Sequence, residues 1–250
     1  MEKLIKDNSG YGYRRITLGL YKDHGVVINH KVVIKLLKHW NLQKIRKVRK
    51  PKPSPLQRYI KELGARVNLF EKTTNPGLFK VLFTDFTEIK CSFGKIYFIP
   101  FIDLKSRRIC GWNIGFSDNT DNALSAYVKT RRYLKRMNVD MGNIIIHQDQ
   151  DRVFTGYRYA GELLNDDVRL SFTEKGFKDN PYIESFFSRF KEEYIDLITT
   201  AKDLKEVKDI IKKCVLKWNK SRIHSALQGR SPDEFIREAI NSEEGKSFQD

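Results

Sequence analysis

The amino-acid sequence predicts an α/β fold, in which a mixed five-stranded sheet with flanking helices follows a small all-helical module. Three closely spaced apolar runs, over residues 79–89, 95–103 and 107–115, predict three strands. A helix-spaced stretch over residues 119–136 then precedes a further apolar run over residues 143–148. Because a helical crossover lets two strands run parallel, this order indicates a sheet that mixes antiparallel and parallel pairs.

Residues 1–43 are predicted to form a helix-turn-helix module. Apolar residues recur at helical spacing in two short segments, which His24 and Gly25 separate. We expect Asn29 to cap the second helix, because its side chain can accept a backbone hydrogen bond. Several cations on these helices are then placed to contact a DNA backbone or groove. They are Arg14, Arg15, Lys31, Lys35 and Lys38. The alternative is that the lysines only keep the helix soluble.

Positive charge is concentrated near the amino terminus. The chain has 47 Lys and Arg against 31 Asp and Glu, a formal net charge of +16. Residues 1–60 alone hold 15 Lys and Arg against 3 acidic residues. Such a stretch would bind DNA phosphates with an affinity that falls steeply with salt and discriminates little between sequences. The composition therefore indicates a polyanionic partner, and the alternative is a solvated basic surface without one.

A basic, proline-containing linker is predicted over residues 44–77. Residues 44–55 combine cations that repel one another with prolines that remove helical options. We therefore expect a domain boundary here, with an extended tether that follows DNA phosphates. Basic proline-rich tracts can also be nuclear-import signals or unstructured tails, which are the alternatives for this segment.

The remaining elements are a short strand near residues 168–171 and a helix over residues 182–195, which complete a core predicted to span residues 78–197. The segment over residues 171–180 holds little apolar material, so we expect a mobile loop that becomes ordered when DNA binds. A later helix-spaced pattern predicts a helical extension over residues 198–250.

Three acidic residues of the core occupy informative places. Asp85 interrupts an apolar strand, where a carboxylate is costly unless it is paired or bound to a metal. Asp149 should emerge at the carboxyl end of its strand, where open α/β sheets place their sites. Glu184 opens a helix that would pack alongside these strands. The three carboxylates can then meet, although each also has an ordinary interpretation: a strand-edge residue, a turn former and a first-turn helix acid.

Convergent carboxylates suit a hard cation that acts on phosphates. Mg²⁺ prefers carboxylate oxygens and keeps several waters, so a site that holds one or two such ions needs several Asp or Glu. Two metal ions can activate the attacking oxygen of a phosphodiester reaction and stabilise the leaving oxygen. The three carboxylates therefore point to phosphodiester chemistry on a nucleic acid.

Five separated motifs carry a resemblance to a known family. They are Phe-Thr-Asp-Phe-Thr at residues 83–87, Asp-Leu-Lys-Ser-Arg-Arg-Ile-Cys-Gly-Trp at 103–112, His-Gln-Asp at 147–149, a run from Lys-Gly to Lys at 175–191, and a pattern from Trp-Asn to Ser-Pro at 218–232. In this order they resemble motifs of bacterial insertion-sequence transposases of the two-reading-frame type, whose catalytic subunit carries a retroviral-integrase-like core. The resemblance covers nearly the whole chain, and the 34 residues between Asp149 and Glu184 match the spacing typical of this superfamily.

The resemblance implies a ribonuclease-H-like core with a catalytic triad of Asp85, Asp149 and Glu184 that holds two Mg²⁺ ions, for which Mn²⁺ can substitute. The implied reaction is cleavage at the element ends, followed by attack of the freed 3′-hydroxyl on another phosphodiester. Lys175 and Lys191 are expected to contact the DNA. The implied partners are double-stranded DNA of the element ends and the target, further copies of the chain on DNA, and the product of an upstream reading frame.

Two residues depart from the family pattern. Gln148 replaces the usual Ser, and Asp151 stands where Gly is common. The Asp151 carboxylate could compete for metal, but we expect it to face solvent in a loop. Two other functions stay open: a ribonuclease-H-like nuclease that cuts without joining, and a DNA-binding regulator whose carboxylates no longer bind metal.

The sequence also bears on the compartment. No apolar stretch reaches the roughly 18 to 20 residues that span a bilayer, and the start lacks the apolar region of a signal peptide. The three scattered cysteines support neither a disulfide framework nor a cysteine zinc site. We therefore expect no membrane partner and a bacterial cytoplasmic location, with nucleoid association when DNA is bound. Because a helical pattern begins almost at Met1, the residues that normally precede it are expected in another reading frame.

Overall fold

The computed structural model divides the chain into two compact units, Met1–Lys52 and Pro53–Asp250. The structure describes residues 1–42, 53–174 and 180–242, apart from the side chains of Leu63 and Ala65. Within those ranges, no helix combines the length and the apolar character that a bilayer crossing would need.

The first unit contains three helices within its described residues: α1 (Glu2–Asp7), α2 (Tyr13–His24) and α3 (His30–His39). Their shared core is formed by Ile16, Leu20, Val33 and Leu37. Gly25 ends α2 in the left-handed conformation, with a φ of 61°. The Asn29 side chain accepts a hydrogen bond of 2.8 Å from the backbone N–H of Lys31, which caps α3. The two predicted helices, their separation and the cap at Asn29 are confirmed.

The second unit begins with a helix, α4 (Pro55–Leu63), inside the segment that the sequence predicts as linker. Ser54 and Gln57 form a capping box at its start, and Pro55 occupies the first turn. Ile60 is buried in the core of this unit, and the Ser54 hydroxyl donates to the carbonyl of Thr155 at 3.1 Å. Residues 55–63 are therefore helical and packed rather than extended, because the prolines stand where a helix start tolerates them. Residues 44–52 of the predicted linker, and residue 43 before them, lie outside the described residues.

Six strands and five further helices follow in chain order within the described residues. They are β1 (Val81–Thr84), β2 (Thr87–Cys91), β3 (Gly94–Asp103), β4 (Ile109–Gly115), α5 (Thr120–Arg136), β5 (Ile145–Gln148), α6 (Tyr157–Leu164), β6 (Arg169–Phe172), α7 (Pro181–Thr199), α8 (Leu204–Lys220) and α9 (Pro232–Asn241).

The sheet has one more strand than predicted, because the strand expected over residues 79–89 is broken. Thr84 of β1 pairs with Phe101 of β3, and Thr87 of β2 pairs with Phe98 of the same strand, so the antiparallel register continues across the break. β4 pairs with the other edge of β3, while β5 pairs with β1 and β6 with β5, both in parallel. The sheet therefore has an antiparallel part, formed by β1 to β4, and a parallel part, in which β5 and β6 follow β1. This is the mixed sheet that the element order predicts.

Side chains alternate between two cores on opposite faces of the sheet. Leu82 and Ile146 belong to the cluster that also holds buried residues of α5 and α6. Val81, Phe83 and Ile145 belong to the cluster that also holds buried residues of α7 and α8. Because alternation has a period of two, a side chain two residues after Phe83 leaves the sheet on the face that carries α7.

Candidate active site

Asp85 and Asp149 each lie one residue beyond the end of a strand, and the two strands are neighbours. β1 and β5 run parallel with Phe83 opposite His147. Continuing this register by two residues brings Asp85 opposite Asp149, on strands about 4.8 Å apart. The structure thus brings the two carboxylates to the same edge of the sheet, on the face that carries α7.

A third residue at this edge was not identified from the sequence. β6 pairs with β5 so that Phe172 lies opposite Gln148, and the next residue, Thr173, therefore lies opposite Asp149. The signal that could have identified Thr173 is the one that identified Asp149, namely a position directly after a short strand. Because the pattern of β6 is weak, the sequence did not specify the residue at which this strand ends.

The backbone near both aspartates is held by the aspartates themselves. The Asp85 carboxylate accepts the N–H of Phe86 at 2.7 Å, at the break between β1 and β2. The Asp149 carboxylate accepts the N–H of Asp151 at 2.9 Å, and Asp151 in turn accepts the N–H of Val153 at 2.8 Å. Asp151 is exposed, which confirms the expectation that it faces solvent. Each of the two aspartates thus uses one carboxylate oxygen in a local hydrogen bond, which leaves its second oxygen available.

α7 brings Glu184 to the same place. Ile183, Phe187 and Phe190 are buried between α7 and the sheet, and Glu184, in the first turn, is exposed. A cavity of about 320 Å³ opens between this turn and the strand ends, and we call it the acidic cavity. It is lined by Asp85, Asp149, Gln150, Thr173, Glu174, Asn180 and Glu184.

The acidic cavity has an excess of negative charge. Burial raises the pKa of Asp85 to about 7, and repulsion from Asp149 adds to the effect, with smaller contributions from Asp151 and Glu184. Burial also raises the pKa of Asp149. Among the described residues, no Lys or Arg lines this cavity. The described lining of this cavity is therefore acidic, in a chain whose net charge is +16.

Polar atoms without partners border the same cavity. Asn180 is 2% exposed, and within the described part of the chain neither its amide nitrogen nor its amide oxygen has a hydrogen-bond partner. The hydroxyl of Thr173 is buried and likewise unpartnered there. Buried polar groups are normally satisfied, so such atoms indicate a missing polar ligand or ion. The oxygen-rich lining fits a hard divalent cation.

The carboxylates line one cavity, but they do not stand close enough together to coordinate a single metal ion. Across residues 1–42, 53–174 and 180–242, no group of three or more His, Cys, Asp or Glu side chains stands close enough to hold a metal ion. The lining residues thus supply the donors for a cation, whereas a complete coordination sphere would need them to move closer together.

A buried network supports the floor of this site. The Ser171 hydroxyl accepts the N–H of Leu69 at 2.9 Å and that of Phe70 at 3.3 Å, which leaves its hydrogen to donate to Nδ1 of His147 at 2.9 Å. Gln148, which replaces the family's Ser, accepts the Tyr159 hydroxyl at 2.9 Å. His147 and Gln148 are therefore buried anchors for the strand that presents Asp149.

The cations predicted to contact DNA lie in three different settings. Arg14, Arg15, Lys31, Lys35 and Lys38 are exposed on α2 and α3 of the first unit. Lys191 is half-buried on α7, about 10 Å along the helix from Glu184, and it does not line the acidic cavity. Burial lowers its pKa. Lys175 lies outside the described residues.

Known proteins are similar to this chain over the residues that form the sheet and the acidic cavity. Two family models, both described as integrase core domain, match residues 77–177 and 166–232. The putative transposase InsK of insertion sequence element IS150 from Escherichia coli K12 is 28% identical over 246 residues, which cover 94% of this chain and 81% of that protein. The transposase of insertion sequence element IS904 from Lactococcus lactis is 28% identical over 68% of this chain and 65% of its own length. The chain belongs to the insertion-sequence transposases with an integrase-like core.

Membership in this transposase family confirms the resemblance drawn from the motifs and makes the enzyme a polynucleotidyl transferase. A chain in the solved simian T-cell lymphotropic virus intasome in complex with PP2A regulatory subunit B56 gamma has a similar fold. The two chains are 12% identical with a TM-score of 0.54, over 93% of this chain and 73% of the other. This similarity concerns the fold, and it confirms the predicted ribonuclease-H-like sheet of the transposase.

Proposed function

We propose that this transposase cleaves DNA at the ends of its element and joins the freed ends to new phosphodiesters, using Asp85, Asp149 and Glu184 together with Mg²⁺. The observation that carries the proposal is the acidic cavity, which Asp85, Asp149 and Glu184 line together, with no Lys or Arg among its described lining residues. Burial raises the pKa of Asp85 to about 7, and repulsion from Asp149 and, to a smaller extent, from Glu184 adds to the effect. A divalent cation on oxygen ligands relieves that repulsion.

The proposed site would hold Mg²⁺ between the sheet and α7. Asp85 and Asp149 would bind from adjacent strand ends and Glu184 from the helix, with two ions in the complete site. Mn²⁺ would substitute, because the same oxygen ligands suit it. When bound, the ions lower the pKa of the attacking hydroxyl group and stabilise the leaving oxygen. No side chain is then required as a general base.

The first proposed reaction hydrolyses a phosphodiester bond, and the second exchanges one phosphodiester bond for another. In cleavage, a water oxygen bonds to phosphorus while the bond from phosphorus to the 3′ oxygen of the element end breaks. That oxygen takes up a proton and leaves as a 3′-hydroxyl, and the water proton passes to solvent. In joining, the oxygen of this 3′-hydroxyl bonds to a target phosphorus and gives its proton to solvent, while the bond from that phosphorus to the 3′ oxygen of the target breaks and this oxygen takes up a proton.

We propose that DNA binds to basic surfaces outside the acidic cavity. The exposed cations of α2 and α3 would hold double-stranded DNA through its phosphates, and Lys175 and Lys191 would add further contacts. Because two element ends must be brought together, the proposed active form is an assembly of several copies on DNA. A fusion with the product of an upstream reading frame is part of the same proposal.

Glu184→Gln tests the proposal, because it removes a charge but not the shape of the helix. We expect Mg²⁺-dependent cleavage of a labelled duplex that carries the element's terminal sequence to fall by about 100-fold or more. Glu192→Gln is the matched control, since Glu192 is also exposed on α7 and does not line the acidic cavity. Equal loss in both variants, or cleavage that needs no divalent metal, would contradict the assignment.

A further inference from the structure

A second cavity, of about 370 Å³, lies beside the first two turns of α7, on a face that does not include Glu184. Its walls come from β1, from the end of β3 and the turn after it, from α7, from Trp218 near the end of α8 and from residues 224–226 beyond that helix. We call it the arginine cavity, after Arg107 and Arg189, which line it together with Tyr182, Phe186, Trp218 and His224. Its size is within the range of about 300 to 1,000 Å³ that is usual for ligand sites.

Arg107 stands apart from the other half-buried arginines. Within the described residues there are five of these, and Arg108, Arg131, Arg222 and Arg230 each form a salt bridge with a carboxylate. Arg107 forms none among the same residues, and burial lowers its pKa. A partly desolvated guanidinium is costly without an anion, so its environment favours a negatively charged ligand.

The backbone of Arg107 is held in a strained conformation that presents this side chain. Its φ is 62°, in the left-handed region that few residues other than glycine adopt. The N–H of Arg107 donates to the carbonyl of Asp103 at 2.9 Å, and its carbonyl accepts the indole N–H of Trp218 at 3.0 Å. A strained backbone conformation that hydrogen bonds hold in place is typical of residues in functional sites.

Flat aromatic surfaces adjoin the guanidinium. The Arg107 guanidinium carbon lies 5.0 Å from the ring centre of Tyr182, a residue that is 39% exposed. Trp218 and Phe186 pack edge to face at 4.9 Å in the wall behind. Aromatic faces next to arginine are the surfaces on which unstacked nucleic-acid bases bind, and guanidinium groups bind their phosphates.

The charges around the cavity favour an anion as well. The acid that lines it is Asp103, whose carboxylate already accepts three hydrogen bonds, from the N–H of Phe79 and from the N–H and hydroxyl of Ser106. Burial lowers the pKa of His224 to about 4, so this residue is neutral near pH 7. Asp103 attracts Arg107 electrostatically without forming a salt bridge with it, so two arginines face the cavity against one carboxylate.

We propose that the arginine cavity binds one unstacked nucleotide of the DNA strand that enters the active site. Its base would stack against Tyr182, and its phosphate would bind Arg107 and Arg189. Consecutive residues of α7 connect the two sites, since Glu184 lines the acidic cavity and Ser185 lines the arginine cavity. A strand cut beside Glu184 can thus place a neighbouring nucleotide on the other face of the same helical turn. This inference rests on the proposed function and identifies how its substrate is held.

Single-stranded DNA provides a test that requires no catalysis. Binding of a labelled oligothymidylate is measured by fluorescence anisotropy at fixed salt and without divalent metal, beside a strand of equal length made of abasic residues. We expect Tyr182→Ala to weaken oligothymidylate binding by about 5- to 50-fold and to leave abasic binding unchanged. Tyr182→Phe should bind like the wild type, because it keeps the aromatic face.

Arg107→Asn tests the phosphate contact. Asn tolerates a positive φ, so the turn should keep its conformation while the charge is lost. We expect this variant to bind both strands about 5- to 50-fold more weakly, as the loss of a charge-assisted hydrogen bond implies. Arg132→Asn and Tyr157→Ala are matched controls, because both residues are exposed and line neither cavity. Unfolding temperatures are compared in parallel, so that a folding defect is recognised.

The outcomes separate this inference from the proposed function. If Tyr182→Ala and Arg107→Asn bind both strands like the wild type, the nucleotide site is refuted, whatever the wild-type enzyme cleaves. If binding depends on the bases and on these two residues but Glu184→Gln cleaves like the wild type, the cavity assignment stands and the catalytic assignment fails.

Discussion

Asp85→Asn is expected to lower DNA cleavage by about 1,000-fold while it stabilises the metal-free protein. Asn keeps the acceptor that binds the N–H of Phe86 at 2.7 Å, so the local backbone should persist. It removes a negative charge that burial and Asp149 make unfavourable, as the pKa of about 7 shows. Activity and stability should therefore change in opposite directions, which a general folding defect would not produce.

The pH dependence of this stabilisation has a definite sign. The pKa of Asp85 rises from 3.8 to about 7 on folding, so the native state binds more protons than the unfolded state between these values. The stability contributed by Asp85 is therefore present at acidic pH and is lost as pH rises toward 7. At about pH 8 the Asn variant should gain on the order of 2 to 4 kcal/mol, and the gain should shrink at about pH 5. Chemical denaturation at the two pH values, without divalent metal, measures both.

Asp151→Asn is the control for Asp85→Asn. Asp151 is exposed and lies outside the lining of the acidic cavity, so we expect wild-type cleavage and little change in stability. A stabilised Asp85→Asn variant that still cleaves DNA would show that Asp85 is a buried acid without a catalytic role. A destabilised variant would contradict the charge excess described for the cavity.

Phe190→Ala is expected to lower the free energy of unfolding by about 3 to 5 kcal/mol. Phe190 is fully buried between α7 and the sheet, where its ring stacks on Phe98 at 5.2 Å and contacts Phe186 and Tyr194. The cavity left by its removal would loosen α7, the helix that presents Glu184. Urea denaturation measures the loss, and cleavage should decline together with the folded fraction.

Leu197→Ala is the matched control on the same helix. Leu197 is 53% exposed, so its truncation should change the stability by no more than about 0.5 kcal/mol. If Phe190→Ala had an equally small effect, the packing of α7 on the sheet would be different from the arrangement described above.

The acidic site was predictable because local sequence signals specify each of its parts. The apolar run before Asp149 predicts this residue at a strand end, helical periodicity predicts Glu184 at the start of α7, and Asp85 stands out as a carboxylate inside an apolar run. The break after Thr84 was not predicted, because Phe86 keeps the apolar pattern while its N–H turns to the Asp85 carboxylate. A single side-chain hydrogen bond thus divides one predicted strand into β1 and β2.

Features that depend on contacts between distant parts of the chain could not be predicted from the sequence. The prolines before and at the start of residues 55–63 led to the prediction of an extended linker. Only the capping-box residues Ser54 and Gln57 indicated that a helix begins there. The arginine cavity combines side chains between Phe83 and Ala226, and no local pattern indicates that Arg107 would lie over Tyr182. The tertiary fold alone brings these residues together.

The joining reaction tests the central claim most directly. The purified protein is incubated in Mg²⁺ with a labelled duplex of the element end that already carries a free 3′-hydroxyl, beside Glu184→Gln, and the products are examined for covalent joining to a second DNA. We predict joined or branched products with the wild type and none with the variant. Cleavage of intact duplex without any joining of the pre-cut end would contradict the claim and indicate a nuclease, and DNA binding without either reaction would indicate an inactive DNA-binding protein.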